Sequence, residues 1–315
     1  MDSELLHTPS YRFADLPRFP YTPRYIDVSK ALPEEGLEIH EALMGYVEAG
    51  SGQNTILCLH GEASWSFVYR KMIPMLAEKN RVVVPDYLGF GRSHKFARMG
   101  DHSYQLHRDT ISELVETLDL RNITMVGHDW GGPFGLGVAV EHPQRFSRFV
   151  LLNSDLPDGK CPMSDAFIKW RKYAKTTPDL SISRVIQQGL AVNSNRGYVT
   201  ELSDDVLAAY EAPFPDATYK AGVRMFPLMV PIPEEPGPAS NHIVQISENI
   251  KYLDKSALVI FSKGDPIIPS GRVRLSDLFS TTKEEIVKDS GHFIQENAGE
   301  QVANRIIKFI EHTSA

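Results

Sequence analysis

The sequence has little cysteine, no excess of positive charge and no long apolar run. Two cysteines in 315 residues cannot hold a chain of this length together by disulfides, so a reducing, cytoplasmic compartment is expected. The 33 Lys and Arg residues are outnumbered by 40 Asp and Glu, and the formal charge is −7. This balance argues against nucleic acid or an anionic membrane as a partner. No apolar stretch approaches about 18 residues, so no membrane-spanning helix is predicted.

Two further patterns are missing. The first four residues, MDSE, are acidic and are not followed by the basic and apolar regions of a signal peptide. Clusters of His and Cys with the spacing of metal ligands do not occur either, so no metal is expected. What remains, 42% hydrophobic and 23% charged residues, is typical of a soluble globular protein with a sizeable core.

Short apolar runs alternate with helical patterns along most of the chain. The runs have the length and composition of buried parallel strands, and six are predicted: Thr55–Leu59, Arg81–Pro85, 123–127, 149–152, 257–261 and 282–288. Amphipathic or apolar helical patterns are found at 66–79, 102–118, 131–142 and 295–312. The alternation predicts an α/β fold, in which a mostly parallel, doubly wound sheet carries helices on both faces.

The alternation stops between residues 154 and 238, where the pattern is helical, aromatic and interrupted by proline. A helical insertion between two strands of one sheet predicts a cap rather than an independent domain. We therefore expect a core in two parts, residues 1–154 and 239–315, separated by a helical cap at 155–238. Four prolines within the first 25 residues predict an extended arm that lies over the core.

The segment GHDWGG at residues 127–132 closes a predicted strand and opens a predicted helix. This is the context of the strand–turn–helix elbow that carries the nucleophile of α/β hydrolases, and Asp129 stands at the nucleophile position. A carboxylate that attacked a carbonyl would form an anhydride, whereas attack on a saturated carbon gives an alkyl ester on the enzyme. An aspartate that merely caps the next helix is the simpler alternative.

Two later residues complete a possible triad. His292 lies between the strand predicted at 282–288 and the last helix, where α/β hydrolases carry their histidine. Asp265 follows the strand predicted at 257–261, where the orienting acid belongs, although Gly-Asp-Pro is also a common turn. Asp129, Asp265 and His292 occur in the expected chain order, each after a strand. The sequence therefore predicts a nucleophile, an orienting acid and a general base.

An oxyanion hole is predicted from the segment LHGEASW at residues 59–65, which follows the first of the predicted strands. In α/β hydrolases one backbone N–H comes from this loop and a second from the residue after the nucleophile, here Glu62 and Trp130. The glycine-rich loop DYLGFGRS at 86–93 is interpreted as structural, because no Gly-Lys-Ser/Thr follows it.

Together these segments resemble the haloalkane dehalogenases of the α/β-hydrolase fold, and the similarity extends almost end to end. It rests on GHDWGG at 127–132, HGEASWSFVY at 60–69, DYLGFGRS at 86–93, APFPDATYKAGVRMFPLMV at 212–230 and GHFIQE at 291–296. The cap segment is the most discriminating of these, because epoxide hydrolases share GHDWGG.

The resemblance implies a particular subgroup. Glu62 stands where some members carry a halide-binding Asn, so the second halide donor is expected from a cap tryptophan, and Trp170 occupies the matching place beside Trp130. Where some members carry the acid before the cap, this chain has Asn153, which leaves Asp265 as the acid and Asp155 as a distant second. The family motif His-Gly-x-Pro has alanine at position 63 here.

The resemblance also implies a reaction and a pocket. Haloalkanes would be hydrolysed to a primary alcohol, halide and a proton through a covalent ester of the aspartate, with no cofactor. The partners are then a small apolar halogenated substrate, water and a halide ion. The apolar wall is assigned by resemblance to six residues, each of which could equally belong to the core: Phe167, Phe226, Pro227, Val230, Ile267 and Ile268.

Three other functions stay open at this point. An epoxide hydrolase would use the same triad with cap tyrosines as acids, and Tyr198, Tyr210 and Tyr219 are available. A haloacid dehalogenase would need arginines beside Asp129, where Trp130 and a proline stand instead. A ligand receptor without catalysis is the third alternative, although the complete triad speaks against it.

Overall fold

The computed structural model describes residues 5–33, 39–190, 201–268 and 275–313. Its strands are β1 Leu5–Leu6, β2 Arg24–Asp27, β3 Leu43–Ala49, β4 Thr55–Leu59, β5 Arg81–Pro85, β6 Lys95–Phe96, β7 Ile123–His128, β8 Phe146–Leu152, β9 Ser256–Ser262 and β10 Thr281–Val287. Its helices are α1 Ile73–Leu76, α2 Tyr104–Thr117, α3 Gly131–Glu141, α4 Asp165–Thr176, α5 Ile182–Gly189, α6 Asp204–Glu211, α7 Ala221–Met229, α8 Ala239–Asn249 and α9 Ile294–His312. In these ranges no helix is both long and apolar enough to cross a membrane.

The main sheet has eight strands in the order β10-β9-β8-β7-β4-β5-β3-β2. The six strands from β10 to β5 are parallel to one another, and they are the six that the sequence predicts. All residues of β4 and β7 are buried, which explains why these strands read as continuous apolar runs. The prediction of a mostly parallel α/β sheet is confirmed.

The other edge of the sheet is not anticipated by the sequence pattern. Strands β2 and β3 add to β5 in antiparallel orientation, and β1 forms a separate antiparallel pair with β6. The arm predicted over the first 25 residues therefore includes short strands. It also reaches the cap, because the Thr8 hydroxyl donates to the carbonyl of Pro213 at 2.7 Å.

The continuous helix predicted at 66–79 is wrong. This stretch forms a 3-10 turn at Ser66–Tyr69 and then the separate four-residue helix α1. Pro74 lies in the first turn of α1, where its missing N–H costs nothing but where it cannot continue a helix from the preceding residues. The remaining predicted helices differ from α2, α3 and α9 by one or two residues at their ends.

Helices α4 to α7 lie in the chain between β8 and β9, within the segment for which a cap is predicted. They contact the carboxyl-terminal edge of the parallel strands through main-chain carbonyls. The indole N–H of Trp65 donates to Ala209 in α6, and the backbone N–H of His292 donates to Gly189 in α5. These helices, the predicted cap, thereby contact the edge of the sheet at which Asp129, Asp265 and His292 follow their strands.

Two histidines are buried together at the start of α2. The rings of His102 and His107 are stacked with centroids 5.3 Å apart, and Nδ1 of His102 lies 3.2 Å from Nε2 of His107. Burial lowers the pKa of His102 to about 4 and the pKa of His107 well below its usual range. Both side chains are therefore neutral at neutral pH.

Candidate active site

Asp129 occupies the turn between β7 and α3. Its φ is +51°, in the left-handed region that non-glycine residues rarely adopt. The turn is possible because glycine follows: a Cβ on Gly131 would lie 2.2 Å from the carbonyl oxygen of Leu59. The Ser154 hydroxyl holds the backbone carbonyl of Asp129 at 2.7 Å. The strained turn places the carboxylate at the end of the sheet.

Backbone donors hold the Asp129 carboxylate. Its Oδ1 accepts the N–H of Glu62 at 2.8 Å, and the backbone N–H of Trp130 is also bonded to the carboxylate. Burial raises the pKa of Asp129, while His292 and these two N–H groups oppose that rise. The two donors predicted for an oxyanion hole thus converge on the side chain of the predicted nucleophile.

His292 is oriented by Asp265. Nδ1 of the imidazole lies 2.9 Å from Oδ2 of Asp265, and the carboxylate side chain is completely buried. Its other oxygen, Oδ1, accepts the backbone N–H groups of Ile267 at 2.7 Å and Ile268 at 3.1 Å. Nε2 of His292 lies 3.7 Å from Oδ2 of Asp129. The three predicted triad residues therefore lie together, in the order nucleophile, base, acid.

The charges around His292 set its protonation. Burial alone lowers the pKa of the imidazole, but the negative charges of Asp265 and Asp129 and the hydrogen bond to Asp265 outweigh burial, so the pKa is raised. When His292 is neutral, an Nδ1–H donated to Asp265 leaves Nε2 as an acceptor on the side of Asp129. This is the tautomer that a general base requires.

Asn153, which directly follows β8, is hydrogen-bonded both to the end of β9 and to the backbone of His292. Its side-chain amide donates to the Ser262 hydroxyl at 2.9 Å and to the carbonyl of His292 at 2.8 Å, while its Oδ1 accepts the N–H of Ser262 at 2.7 Å. The second acid considered from sequence, Asp155, has Oδ1 on the N–H of Leu156 at 2.6 Å. The contact with Nδ1 of His292 is made by Asp265.

A cavity of about 360 Å³ opens above Asp129. It is lined by Glu62, Ala63, Asp129, Trp130, Ala166, Phe167, Lys169, Trp170, Tyr173, Val185, Gln188, Gly189, Pro227, Val230, Pro266, Ile267, His292 and Phe293. Besides Glu62, eight of the residues expected at the site line this cavity. They are Asp129, Trp130, Phe167, Trp170, Pro227, Val230, Ile267 and His292. The wall is mostly apolar, which suits a small apolar ligand.

Two residues expected in the apolar wall lie elsewhere. Ile268 lines a smaller neighbouring cavity of about 30 Å³. Phe226 lines neither cavity: its ring is fully buried against Phe90, with centroids 4.5 Å apart, and against Phe134 at 5.7 Å. On α7 the adjacent Pro227 lines the cavity, whereas the Phe226 ring packs into the aromatic core.

Sequence reasoning missed several lining residues. Tyr173 lies three residues after Trp170 on α4, so the helical period carried a signal that both could share one face. Val185 and Gln188 lie on α5, and nothing in the sequence indicates which face of that helix meets the nucleophile. Their position depends on how the cap packs.

The three tryptophans differ in what their indole N–H groups contact. Trp65 is buried outside the cavity and donates to Ala209 at 3.2 Å. Trp130 lies against the cavity, yet its Nε1 donates to the carbonyl of Phe226 at 3.2 Å. The N–H of Trp170 has no acceptor among the described residues. The expectation of two N–H groups free to bind an anion thus fits Trp170, while the N–H of Trp130 is already bonded.

Glu62 places a second carboxyl group beside the nucleophile. Oε1 accepts the N–H of Ala63 at 2.9 Å, and Oε2 is buried with no protein partner in the described part of the chain. Burial, and then the charge of Asp129, raise the pKa of Glu62 well above its usual range. Both effects favour the protonated, uncharged form of this carboxyl group. Ala63, which stands where the family motif has proline, has φ +56°. Proline cannot adopt this conformation, because its ring fixes φ at a negative value.

Two of the three tyrosines considered for epoxide opening, Tyr210 and Tyr219, do not line the cavity. Tyr210 donates its hydroxyl to Glu296, and the Tyr219 hydroxyl lies 3.5 Å from the carbonyl of His7. Tyr198 lies outside the described residues. Tyr173 is the tyrosine that the cavity contains. Among the residues described, no group of three His, Cys, Asp or Glu is placed to hold a metal ion.

The chain is similar to known proteins over nearly its whole length. A family model for the alpha/beta hydrolase fold matches residues 54–204. A haloalkane dehalogenase of Psychrobacter cryohalolentis is 37% identical over 313 residues, covering 98% of both chains. Haloalkane dehalogenase 1 of Mycobacterium tuberculosis is also 37% identical, over 98% of this chain and 100% of its own. The tetrameric haloalkane dehalogenase DpaA of Paraglaciecola agarilytica superposes with a TM-score of 0.84 at 30% identity, covering 96% and 97%.

The fold and the site define an α/β hydrolase that carries aspartate at the nucleophile position. Identity above 35% over nearly the whole chain narrows this class further. The chain belongs to the haloalkane dehalogenase family, and it is an enzyme of that family.

Proposed function

We propose that this enzyme hydrolyses the carbon–halogen bond of small apolar haloalkanes to give a primary alcohol, halide and a proton. The observation that carries the proposal is the Asp129 carboxylate, which faces a mostly apolar cavity and lies 3.7 Å from the base His292. The reaction proceeds through an ester of Asp129. It uses side chains, water and the halogenated substrate.

In the first step the carboxylate displaces the halide. The N–H of Glu62 holds Oδ1, so we assign the attack to Oδ2, which faces His292. A carbon–oxygen bond forms, the carbon–halogen bond breaks, and the halide leaves with the electron pair. No proton is needed. In an apolar cavity, N–H donors aimed at the growing negative charge stabilise it strongly.

We propose that Trp170 and Trp130 bind the departing halide. The indole N–H of Trp170 is available for this, and its ring lines the cavity. The N–H of Trp130 must be shared with, or move from, the carbonyl of Phe226. A halide therefore gains more from Trp170 than from Trp130, because only the second donor gives up a protein partner.

In the second step the ester is hydrolysed. Nε2 of His292 takes a proton from a water molecule, and the oxygen of that water attacks the carboxyl carbon of Asp129. The negative charge develops on Oδ1, where the N–H groups of Glu62 and Trp130 converge. Collapse expels the alkoxide, which takes the proton from His292 and leaves as the alcohol. The remaining proton is released when Asp129 ionises.

The two cysteines are compatible with the reducing compartment that we propose for the enzyme. Cys58 is a buried free thiol and Cys161 an exposed one. Burial raises the pKa of the Cys58 thiol strongly, so this group is unreactive toward oxidants.

Halide release from chloro-, bromo- and iodoalkanes, with an epoxide of matched length alongside, tests the reaction class. Asp129→Ala should abolish halide release in a folded protein, because Asp129 carries the attacking oxygen. Asp15→Ala is the matched control, since Asp15 has φ +52°, is exposed and does not line the cavity. Both variants lose an aspartate from a left-handed turn. Equal activity in the two variants would contradict the mechanism, and turnover of the epoxide alone would favour epoxide hydrolysis.

A further inference from the structure

Cap helix α5 is bonded to the backbone of the base. The N–H of His292 donates to the carbonyl of Gly189, the last residue of α5, at 2.7 Å. The carbonyl of His292 is held from the core side, by the Asn153 amide at 2.8 Å and by Nε2 of His128 at 2.9 Å. The peptide units around the base therefore bridge the cap and the core.

The contact between α5 and the base loop leaves no room for side chains. A Cβ on Gly189 would lie 2.5 Å from Cε2 of Phe293, and a Cβ on Gly291 would lie 2.3 Å from the carbonyl oxygen of Gly189. Real Cβ atoms do not approach neighbours this closely. Glycine at both positions is thus what lets the helix end reach the N–H of His292.

Helix α6 makes a second bond to the part of the chain that follows His292, at Glu296. The Tyr210 hydroxyl donates to Oε1 of Glu296. The other carboxylate oxygen of Glu296, Oε2, accepts a hydrogen bond from Nη2 of Arg70 at 2.9 Å. Burial would raise the pKa of Glu296, but Arg70, Tyr210 and Lys71 outweigh it and the pKa is lowered. Glu296 is therefore an ionised acceptor. The Tyr210 ring is fully buried, edge-to-face on Phe67.

The two cap helices act as one unit. Oε1 of Glu211, at the end of α6, accepts both the N–H and the hydroxyl of Ser183 in α5 at 2.8 Å each. Helix α4, which carries Trp170, is instead bonded to α7: Nε of Arg224 donates to the carbonyl of Ala174 at 3.1 Å. The cap therefore contains one pair of helices at the halide donor and another pair at the base.

From this arrangement we propose that α5 and α6 position His292 for ester hydrolysis, and that Gly189 and Tyr210 are the positioning residues. The proposal rests on the proposed function. Halide displacement needs the carboxylate of Asp129 and the halide donors, none of which α5 or α6 holds. Ester hydrolysis needs Nε2 of His292 aligned with a water and the ester carbon, and small displacements of a catalytic group have large effects on rate.

Tyr210→Phe removes the hydroxyl bond to Glu296 and keeps the ring. Alkylation and hydrolysis are separated by mixing enzyme with one equivalent of an iodoalkane, following halide release in the first turnover and then the decay of the Asp129 adduct by mass spectrometry. We expect adduct decay to slow about tenfold while first-turnover halide release stays within about twofold of the parent. Tyr219→Phe is the matched control, because its hydroxyl makes only a 3.5 Å contact at the surface.

Gly189→Ala tests the other bond with a different substitution. The added methyl group must push α5 away from Phe293, so we expect a larger loss in adduct decay than for Tyr210→Phe. Because Gly189 also lines the cavity, halide release should fall as well, but by less than adduct decay. Gly100→Ala is its control, since a Cβ there meets no atom within 4 Å. The pH profile of adduct decay should shift in both variants, because the environment of His292 changes, whereas a loss of folded protein alone would not move it.

Unchanged adduct decay in both variants would overturn the proposal, and so would an equal slowing of both steps. If Tyr210→Phe does not fold, Gly189→Ala decides alone. A parent enzyme that releases halide without any Asp129 adduct, also when His292 is replaced by glutamine, would refute the proposed ester mechanism. That outcome is distinct from a failure of the positioning proposal. In that case the adduct forms, but it decays at the same rate in the parent enzyme and in both variants.

Discussion

Replacing Asp265 with asparagine should leave halide displacement intact and nearly stop ester hydrolysis. Oδ1 of Asp265 accepts two backbone N–H groups, those of Ile267 and Ile268. An asparagine must keep its oxygen at that position, because its NH₂ group would face two donors there. The NH₂ group is then forced toward Nδ1 of His292, which lies 2.9 Å from the present Oδ2.

An NH₂ group opposite Nδ1 reverses the tautomer of the imidazole. Nδ1 becomes the acceptor, the proton moves to Nε2, and Nε2 can no longer take a proton from water. The same exchange in a serine protease triad costs about 10⁴-fold in rate, and we expect a loss of about 10³- to 10⁴-fold in ester decay. The backbone donors stay satisfied, so the protein should remain folded.

Single-turnover halide release and mass spectrometry of the Asp129 peptide measure the two steps separately. The variant should release one equivalent of halide at the parent rate and then hold the ester. Asp155→Asn is the matched control and also tests the second candidate acid from sequence; it should turn over normally. Steady turnover in Asp265→Asn, or an ester that accumulates in Asp155→Asn instead, would refute this reasoning.

Three further predictions concern halide binding, pH dependence and stability. Trp170→Phe should weaken bromide binding about tenfold, measured by saturable fluorescence change, whereas Trp65→Phe should not; equal titrations would exclude Trp170 as a donor. Ester decay should slow as pH rises through the raised pKa of Glu62, because a negative charge on Glu62 then opposes the oxyanion that develops on Oδ1 of Asp129. Glu62→Gln should keep its alkaline activity, and an identical alkaline fall would contradict this. The free energy of unfolding should decrease as pH falls from 6.5 toward 4, because the pKa values of His102 and His107 are lowered in the folded state. Each histidine contributes up to about 1.4 kcal/mol per pH unit to this decrease. Urea titrations at pH 7 and 5 test this, and equal stability at both would contradict it.

The parallel part of the sheet could be predicted because burial on both faces of the sheet gives each strand a continuous apolar run. Strand β3 carries Gly45 and the charged Glu48, and β2 has four residues of which one is buried. Neither gives a continuous run or a long alternation, so the antiparallel edge is visible only in the folded chain. The helix predicted at 66–79 failed for a local reason, since apolar spacing alone does not register the restart at Pro74.

The candidate triad could be located because its members follow strands whose order brings their ends together. Strands β7, β8 and β9 are neighbours in the sheet, so Asp129 and Asp265 lie at the same edge of the sheet. Their placement there does not depend on how the cap packs. The cavity wall could not be predicted in the same way. The rotation of α7 about its axis decides that Pro227 faces the cavity and Phe226 the core, and that rotation is set by packing between helices.

The two negative charges that face His292 have a consequence for the timing of the reaction. In the resting enzyme both Asp129 and Asp265 raise the pKa of the imidazole. In the proposed mechanism alkylation turns Asp129 into a neutral ester, so one of the two charges disappears and the imidazole holds a proton less strongly. Formation of the ester thus favours the neutral imidazole, which is the form that a general base requires. The first half of the cycle thereby prepares the base for the second, in which a water molecule attacks the ester.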